Sequence, residues 1–358
     1  MTEGSHCSVC GAVLVAQQTT SKLAHTPVTD AAVAPTENTT GLTEGSHCSV
    51  CGEVIVAQQV VPAIRPDVDY SNLPSGVYTI GNAADVNYRL DVNAQSHDSG
   101  ANVHIWSAHN ANSQKWIFWN MGNGYYTIEN LNSGKYLDVP YGNSASGTNI
   151  WQCNYIGGDP QQWRVVNNGD GTCTLVSKLG NVALDMNGGG QPANGTNIQI
   201  WSRNNSTAQK WVLTPQTVLA SGTYSFCSAA NTNFCLDVSG VSTVNGANIQ
   251  LWTNANSNNQ KFKVEAGKDG YYTITAVHSG KVVDVNNANK TNGTNVHQYE
   301  ANGTNAQKWL AIPYNGSYMF VSKCNGLALD VNGGVAANGT NVQCWAVNWS
   351  NAQLWKLR

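Results

Sequence analysis

Short stretches in which apolar and polar residues alternate run along most of this chain. In Ile249-Gln250-Leu251-Trp252, the two aliphatic side chains fall on one face of an extended strand and the other two on the opposite face. Gly, Asn and Ser separate such stretches at regular spacing, which is typical of turns between short strands. The pattern predicts an all-β protein.

The strands belong to a unit that occurs six times. In each copy an Asp followed by Val or Met precedes Gln-x-Trp, or once Gln-x-Phe. The Asp residues are Asp91, Asp138, Asp185, Asp237, Asp284 and Asp330. The closing aromatic residues are Trp116, Trp163, Trp211, Phe262, Trp309 and Trp355, which makes the successive steps 47, 48, 51, 47 and 46 residues. A fixed period of this size indicates one structural unit built six times, with the closing aromatics expected in the core.

The one long step, of 51 residues, divides the six units into two sets of three. After it, Ser221–Phe226 has the same pattern as the start of the first repeat, Ser75–Ile80. The other repeats begin differently, with Asn-Gly or Asp-Gly before the strand. We therefore predict two tandem domains of three repeats each, at 70–213 and 214–358.

Residues 1–66 form a separate segment with its own repeat. Thr2–Gly11 recurs with an identical sequence as Thr43–Gly52, 41 residues later, and each copy contains Cys-x-x-Cys. The Thr-, Ala- and Pro-rich stretch between the copies is predicted to be a linker, and Val60–Asp69 connects the segment to the repeats. Because the first copy follows Met1 directly, we expect the natural protein to extend upstream.

The two Cys-x-x-Cys pairs have two interpretations. Together they could supply four thiolates to a structural zinc ion, with His6 and His47 as further ligands. Alternatively, they are local disulfides or free thiols. The four residues of the predicted zinc site are Cys7, Cys10, Cys48 and Cys51.

Six further cysteines lie in the repeats. Cys227 and Cys235 flank one predicted hairpin, at a separation that permits a disulfide. The others show no pairing that the sequence reveals: Cys153, Cys173, Cys324 and Cys344.

Composition excludes several classes of partner. Charged residues make up only 11% of the chain and the formal net charge is −3, which excludes the basic surface of a nucleic-acid-binding protein. No apolar stretch approaches the roughly 18 residues needed for membrane insertion. The 12 Trp and 14 Tyr supply large apolar surfaces for a core.

Three units of about 47 residues, each with Leu-Asp-Val or a close variant and closed by Gln-x-Trp, resemble the ricin-B-type β-trefoil lectins and family-13-like carbohydrate-binding modules. The resemblance covers about 70–358 and implies two tandem β-trefoils. In that fold six strands close a barrel and six cap it as hairpins, which removes exposed strand edges.

The resemblance also implies which residues bind sugar. The Asp accepts hydrogen bonds from sugar hydroxyls, helped by a Gln or His two residues before a surface aromatic, which stacks on the sugar ring. An Asn or His three residues after the aromatic, the Gln of Gln-x-Trp and an Asn before that Gln complete the set. These positions hold Asp91, His104, Trp106, His109 and Gln114 in repeat 1; Asp185, Gln199, Trp201, Asn204 and Gln209 in repeat 3; Asp237, Gln250, Trp252, Asn259 and Gln260 in repeat 4; Asp284, His297, Tyr299, Asn302 and Gln307 in repeat 5; and Asp330, Gln343, Trp345, Asn348 and Gln353 in repeat 6.

Departures from this pattern rank the copies. Repeat 4 departs only at Ala255, whereas repeats 1, 3 and 6 lack the Asn before the Gln, and repeat 5 stacks through Tyr. Repeat 2 has Trp151 and Cys153 at the aligned positions, so we expect it to be silent. Because the Asp occurs in all six copies, a structural role for it stays open beside the binding role.

We expect a multivalent lectin or carbohydrate-binding module with glycans or polysaccharide as partner and no cofactor for sugar binding. It would target a larger secreted bacterial protein, or an enzyme joined upstream, to glycans at an extracellular or cell-surface location. The chain itself is expected to be non-catalytic, because it lacks nucleophile and metalloprotease motifs and its carboxylates follow the repeat period. The alternative is a trefoil used for structure or protein contacts. The sequence does not indicate an oligomeric state.

Overall fold

A computed structural model describes residues 1–18, 24–34, 41–61 and 68–358. The predicted connection includes Pro62 and Pro66, which lie outside these residues. The chain divides into two compact units, 1–66 and 67–358, and each is described by itself. Every helix in the described ranges is a one-turn 3-10 helix, so the all-β prediction is confirmed. None of these helices is long and apolar enough to cross a membrane.

The first unit consists of small antiparallel sheets. Each copy of its repeat is a hairpin with the Cys-x-x-Cys turn at its tip, and β3, from the stretch predicted to be a linker, adds a third strand beside β5. The strands are β1 (Ser5–His6), β2 (Val13–Val15), β3 (Pro27–Asp30), β4 (Gly41–Leu42), β5 (Gly45–Cys48), β6 (Val54–Val56) and β7 (Val60–Val61).

Repeats 1–3 form one 13-stranded sheet. Its strands are β8 (Gly76–Asn82), β9 (Asp85–Val92), β10 (Val103–Ser107), β11 (Trp116–Asn120), β12 (Tyr126–Asn130), β13 (Tyr136–Asp138), β14 (Thr148–Asn149), β15 (Trp151–Cys153), β16 (Gln162–Asn167), β17 (Cys173–Ser177), β18 (Val182–Met186), β19 (Thr196–Ser202) and β20 (Trp211–Pro215). Six of them pair in a closed cycle, β8-β11-β12-β16-β17-β20 and back to β8. The hairpins β9–β10, β13–β15 and β18–β19 cap this barrel.

Repeats 4–6 form a second 13-stranded sheet of the same design. Its strands are β21 (Gly222–Tyr224), β22 (Phe226–Ser228), β23 (Phe234–Val238), β24 (Ile249–Thr253), β25 (Phe262–Ala266), β26 (Tyr272–Ala276), β27 (Val282–Val285), β28 (Thr294–Tyr299), β29 (Trp309–Tyr314), β30 (Ser317–Ser322), β31 (Ala328–Val331), β32 (Val342–Trp345) and β33 (Trp355–Leu357). The barrel closes through β21 and β22, which are interrupted at Ser225. Both sheets have the β-trefoil arrangement that the resemblance implies.

The 3-10 helices occur mainly at two phases of the repeat, just after the Asp and just before the closing aromatic. They span Tyr70–Asn72, Asn93–Gln95, Asn112–Gln114, Pro140–Gly142, Asp159–Gln161, Thr207–Gln209, Ser239–Val241, Asn258–Gln260, Asn286–Ala288, Asn305–Gln307 and Asn332–Gly334. The third and fourth residues after each Asp have positive φ: Ala94 and Gln95, Tyr141 and Gly142, Gly188 and Gly189, Gly240 and Val241, Asn287 and Ala288, and Gly333 and Gly334. Each Asp is therefore followed by a left-handed turn.

The closing aromatics are core residues, as predicted, because all six are fully buried. The five Trp residues also form hydrogen bonds that the sequence did not predict. Each indole Nε1 donates, over 3.0–3.1 Å, to the carbonyl just before the Asp of its own repeat. The closing aromatic thus anchors the strand that carries the Asp, except in repeat 4, where Phe262 has no such donor.

A ring of three Asn side chains joins the repeats of each trefoil. In the first ring, Asn102 donates to Asn197 over 3.0 Å, Asn197 to Asn149 over 2.8 Å, and Asn149 to Asn102 over 2.9 Å. Asn248, Asn341 and Asn295 form the second ring in the same sense, with all three bonds at 2.9 Å. Each ring takes one Asn from each repeat, so it marks the threefold arrangement directly.

Apolar side chains from both trefoils form a further cluster between them. Val77 and Ile117 of the first trefoil pack in the same cluster as Leu310 and Ile312 of the second. The Tyr271 hydroxyl donates to the Ser75 carbonyl across this contact.

Two Trp residues extend this contact. Trp119 of the first trefoil meets Trp349 of the second edge to face, with ring centroids 6.1 Å apart. Trp349 also packs against Tyr314 at 4.9 Å and has a left-handed backbone, with φ of 59°.

Candidate functional site

The six Asp side chains lie at equivalent places, at or next to the end of a cap strand. Their side chains are buried, with 3–6% of the residue surface exposed. Each Asp lies opposite the residue 13 or 14 positions later, in the paired strand. These partners are His104, Trp151, Gln199, Gln250, His297 and Gln343. Strand register therefore places every candidate Asp beside its predicted helper residue.

The Gln of Gln-x-Trp lies behind the Asp in every repeat. Its Oε1 accepts a hydrogen bond from the backbone amide of the residue three positions after the stacking position. Its Nε2 donates to the backbone carbonyl of the residue one position after the stacking position. In repeats 1, 3, 4 and 6, Nε2 also donates to the Asp carboxylate over 3.0–3.2 Å. This Gln fixes the carboxylate and the loop together.

Repeat 4 holds its carboxylate with three amides. Gln250 Nε2 donates to Asp237 Oδ1 over 3.2 Å, while Asn259 Nδ2 and Gln260 Nε2 donate to Oδ2 over 2.7 and 3.1 Å. Burial raises the pKa of Asp237 above its usual range, and the amide donors partly offset that effect. Asn259 is itself buried and accepts from Ser257, so it braces the carboxylate.

Repeats 3 and 6 have the same arrangement without the Asn. Gln199 donates to Asp185 and Gln343 to Asp330, each over 3.0 Å. In repeat 6, Asp330 and Gln343 line a pocket of about 520 Å³ together with Trp345. Burial also raises the pKa of Asp330.

In repeat 1, His109 contacts the Asp carboxylate and His104 does not. His109 Nε2 lies 2.7 Å from Asp91 Oδ2, whereas His104 stacks on the Trp106 ring with centroids 5.3 Å apart. Asp91 Oδ1 is buried and has no hydrogen-bond partner among the described residues. Most buried polar atoms have a hydrogen-bond partner, so this oxygen is an exception in the chain.

Repeat 5 pairs its carboxylate with an imidazole. His297 Nε2 lies 3.0 Å from Asp284 Oδ1, and the His297 ring stacks on Tyr299 at 5.7 Å. Tyr299 is half-buried.

Repeat 2 differs chemically from the other five. Trp151 Nε1 donates to Asp138 Oδ1 over 2.5 Å, so an indole replaces the polar helper. Cys153 occupies the stacking position, and the fully exposed Tyr141 packs edge-on against Trp151 at 5.5 Å. Repeat 2 therefore has no aromatic side chain at the stacking position that the other five repeats fill.

The four stacking Trp side chains each expose about two fifths of their surface: Trp106 38%, Trp201 41%, Trp252 42% and Trp345 39%. One ring face is thus accessible in each, unlike the buried closing aromatics. This exposure distinguishes the two classes of Trp in the chain.

Neighbouring repeats support these Trp residues, which the sequence did not predict. Asn194, Asn292 and Asn338 accept, over 2.7–2.8 Å, the backbone amide that follows the stacking Trp of an adjacent repeat. Gly147 and Gly293 lie beside the Trp201 and Trp345 rings, where a Cβ would be in ordinary van der Waals contact at 3.5 and 3.9 Å, and their positive φ of 90° and 84° favours glycine. The only sign of this support in the sequence was that Asn-Gly-Thr recurs at these three Asn residues.

The predicted Asn residues after the aromatics shape the loop. The Oδ1 atoms of Asn204, Asn302 and Asn348 each accept the backbone amide two residues later, over 2.9–3.0 Å. In repeat 4, where Ala255 stands at this position, Asn254 makes the corresponding turn one residue earlier. Asn302 Oδ1 accepts a second hydrogen bond, from the Thr304 hydroxyl, so both of its lone pairs are used within the loop.

The four candidate zinc cysteines do not form one group. Cys48 and Cys51 lie with His25, a residue the sequence did not single out, and Cys7 and Cys10 are not part of this group. Backbone amides of Cys51 and Val50, together with His25, lower the pKa of the Cys48 thiol to about 6. His47, the suggested further ligand, contacts Asp30 at 2.7 Å instead. The four-thiolate site stays a prediction.

Among the other cysteines, the predicted bond between Cys227 and Cys235 is present and joins β22 to β23. The four cysteines left unpaired in the sequence are free thiols. Cys173 is fully buried, and this burial raises its pKa, so its thiol is protonated and shielded.

Comparison with known proteins agrees with this geometry. The model of the family described as ricin-type beta-trefoil lectin domain-like matches residues 68–150, 112–201, 188–252, 207–299, 258–345 and 305–358. Flavastacin from Elizabethkingia meningoseptica is 33% identical over 95 residues, which are 26% of this chain and 21% of flavastacin. The chain thus spans about a fifth of the curated relative that it matches.

Solved structures give local similarity. The designed threefold-symmetric protein ThreeFoil is 36% identical, with a TM-score of 0.37 over 38% of this chain and 97% of that chain. The Macrolepiota procera ricin B-like lectin, solved in complex with lactose, is 24% identical, with a TM-score of 0.35 over 40% of this chain and 97% of that chain. Because the family matches together extend over 68–358, the chain belongs to the ricin-type β-trefoil lectin domain-like family.

Proposed function

We propose that this chain is a multivalent carbohydrate-binding protein with sites in repeats 1, 3, 4, 5 and 6. One observation carries the proposal: in repeats 3 to 6, an aromatic side chain stands two residues after an amide or imidazole that hydrogen-bonds a buried carboxylate. Repeat 1 has the same aromatic with an unpaired carboxylate oxygen. Family membership supports the same function.

In this proposal the apolar face of a sugar ring lies on the exposed indole, and two neighbouring hydroxyls reach the Asp and its helper. Hydrogen bonds to an ionised carboxylate are roughly twice as strong as neutral ones, so the Asp provides most of the polar recognition. A single shallow site of this kind binds in about the millimolar range, roughly −4 kcal/mol. Several sites on one body raise the apparent affinity for a polymer by about two orders of magnitude or more.

The proposed setting is extracellular or at a cell surface, where the repeats direct a larger secreted bacterial protein to glycans. The flavastacin match supports a modular role, since the aligned stretch is only 21% of that protein. We also propose that the repeats themselves are non-catalytic, since each carboxylate is tied to its own repeat and the six do not converge into one acid–base pair.

The test compares single substitutions of exposed aromatics on a glycan array. Trp252→Ala and Trp106→Ala are expected to weaken binding separately and to weaken it further together. Tyr141→Ala is the matched control, because Tyr141 is 93% exposed but lies in repeat 2, which lacks the site. If both Trp variants bind glycans as the parent does, the proposal is wrong and a protein-contact role gains support.

A further inference from the structure

The Cys-x-x-Cys turn occurs twice in the first unit with the same backbone. In the first copy Gly11 donates to the Cys7 carbonyl over 2.9 Å, and in the second Gly52 donates to the Cys48 carbonyl over 2.9 Å. Both glycines have a left-handed backbone, with φ of 73° and 74°. Because a side chain at this φ is disfavoured, glycine lets both turns place two sulfurs on one side.

The copies differ in what lies beside the turn. Strand β3 pairs with β5 so that Pro27 lies opposite Cys48, and Ser49 donates to the Thr26 carbonyl over 2.9 Å. This pairing carries His25 to the second turn, where its Nδ1 lies 3.4 Å from Cys51 Sγ. The ligand atoms of His25, Cys48 and Cys51 all lie within 4.8 Å of one another.

The second ring nitrogen of His25 is also engaged. Its Nε2 lies 3.2 Å from Glu53 Oε2. A carboxylate that accepts from one imidazole nitrogen fixes the tautomer and directs the lone pair of the other nitrogen, as is common for metal-bound His. Here the lone pair of Nδ1 faces the two sulfurs.

We propose that His25, Cys48 and Cys51 bind a thiophilic divalent metal ion, with Zn²⁺ as the expected ion and the fourth position open to solvent. A tetrahedral Zn²⁺ about 2.3 Å from sulfur and about 2.0 Å from nitrogen separates its donors by about 3.5 Å, close to the sulfur–nitrogen distance observed. Two thiolates and an imidazole favour zinc over the hard ions Mg²⁺ and Ca²⁺. His25 and Cys51 are exposed, so the ion has access.

This site differs from the four-thiolate site predicted from the sequence. It uses one Cys pair with a His from the presumed linker, and the described residues provide no third ligand beside Cys7 and Cys10. The bound ion would tie the segment before β3 to the β5–β6 hairpin, since His25 lies two residues before β3 and both cysteines lie in the hairpin. Its expected effect is to order residues 24–30.

The experiment uses the full chain, reduced and stripped of metal with a chelator, and titrates it anaerobically with Co²⁺ and Zn²⁺. We expect about one equivalent to bind, with a thiolate-to-cobalt charge-transfer band. Cys48→Ser with Cys51→Ser should abolish the band, whereas Cys7→Ser with Cys10→Ser should leave it. His25→Asn keeps both thiols and should weaken binding at least tenfold, and Glu53→Gln should weaken it about tenfold.

Three results would overturn the proposal. They are binding below about 0.2 equivalents, equal loss with either pair of Cys substitutions, and unchanged affinity in the His25→Asn variant. Near-ultraviolet circular dichroism of the Trp-rich repeats and glycan binding by each variant check that the second unit is intact. The outcome is therefore independent of whether the repeats bind carbohydrate.

Discussion

At the scale of single residues, the Gln side chains before the closing aromatics hold the carboxylate in repeats 1, 3, 4 and 6 and the loop after the stacking position in all six repeats. Both ends of each Gln amide are bonded within the protein, as are both ends of Asn259. These side chains therefore brace the Asp from within the protein. Ala208 and Ala352, at the position of Asn259 in repeats 3 and 6, remove one such brace. In the proposed function, repeats 3 and 6 bind sugar without that Asn.

The raised pKa of Asp237 leads to a pH dependence. The carboxylate must be ionised to accept two hydroxyls, so binding at repeat 4 should fall with decreasing pH and begin to fall above the ordinary Asp value of 3.8. The contribution of Asp237 to the unfolding free energy changes with pH in the opposite direction. A raised folded pKa means that the contribution of this group to folding is largest at low pH and is lost as pH rises through that pKa. Asp237→Asn should abolish binding at this repeat and leave the unfolding free energy at neutral pH within about 1 kcal/mol.

The measurement is Trp fluorescence titration with an array-selected oligosaccharide, in a background where Trp106, Trp201, Tyr299 and Trp345 are all Ala. Gln250 can turn its amide to present oxygen to the new Asn side chain, so the variant should fold. Binding that persists in Asp237→Asn, or that is constant down to the ordinary Asp pKa, contradicts the assignment.

At the scale of elements, the left-handed turn after each Asp is the most constrained segment of the repeat. Three copies have Gly at its second position, but repeat 4 has Val241, with φ of 51° and 60% of its surface exposed. A β-branched residue is disfavoured there by roughly 1–2 kcal/mol. The turn follows the Asp directly, so this strain lies at the candidate binding site, and strained backbone often occurs at functional sites.

Val241→Gly should therefore stabilise the protein. Relief of the left-handed strain outweighs the added freedom of the unfolded chain and leaves a net gain of about 0.5–1 kcal/mol in unfolding free energy. Urea denaturation would measure it.

The matched control is Val244→Gly, three residues on. Val244 is similarly exposed, at 64%, but has no positive φ, so this change should lower stability. A loss of stability in both variants would show that the turn stores no strain.

At the scale of the whole molecule, the contact between the trefoils includes a residue in an unfavourable conformation, Trp349. At the phase of Trp349, repeats 1, 3 and 4 have Asn110, Asn205 and Asn256, which accept left-handed backbone readily. Repeat 6 has a Trp there, and its ring reaches Trp119 of the first trefoil. The aromatic contact compensates for the strain.

Trp349→Asn should separate the unfolding of the two trefoils. Loss of the aromatic contacts should reduce their coupling by about 1–2 kcal/mol while each barrel stays folded. Scanning calorimetry should then resolve two transitions, or a van't Hoff enthalpy well below the calorimetric one. Trp345→Ala, in the nearby binding site, is the control and should not alter the coupling. One unchanged transition in the Trp349→Asn variant would contradict this role.

The repeat period was enough to predict the two barrels, the buried closing aromatics and the exposed Trp residues, because each depends on phase within one unit. His25, Trp349 and Asn338 could not be predicted in their roles. Each acts on a residue of another strand, repeat or trefoil, and closure of the fold determines those neighbours. The bonds of Gln260 to Asp237 and to the Thr253 carbonyl were not predicted either, because the pattern does not tell a residue that contacts a ligand from one that braces the Asp.

The Asn rings restrict how such a protein can change in length. Every Asn in a ring donates a hydrogen bond to one neighbour and accepts one from the other. The three bonds close the ring because each of the three repeats contributes one Asn. Deletion or duplication of a single repeat would leave one amide and one carbonyl without their ring partners, and it would also break the closed cycle of six barrel strands. Gain and loss of candidate sites by recombination should therefore proceed in steps of three, while a single site can be lost by substitution, as we propose for repeat 2.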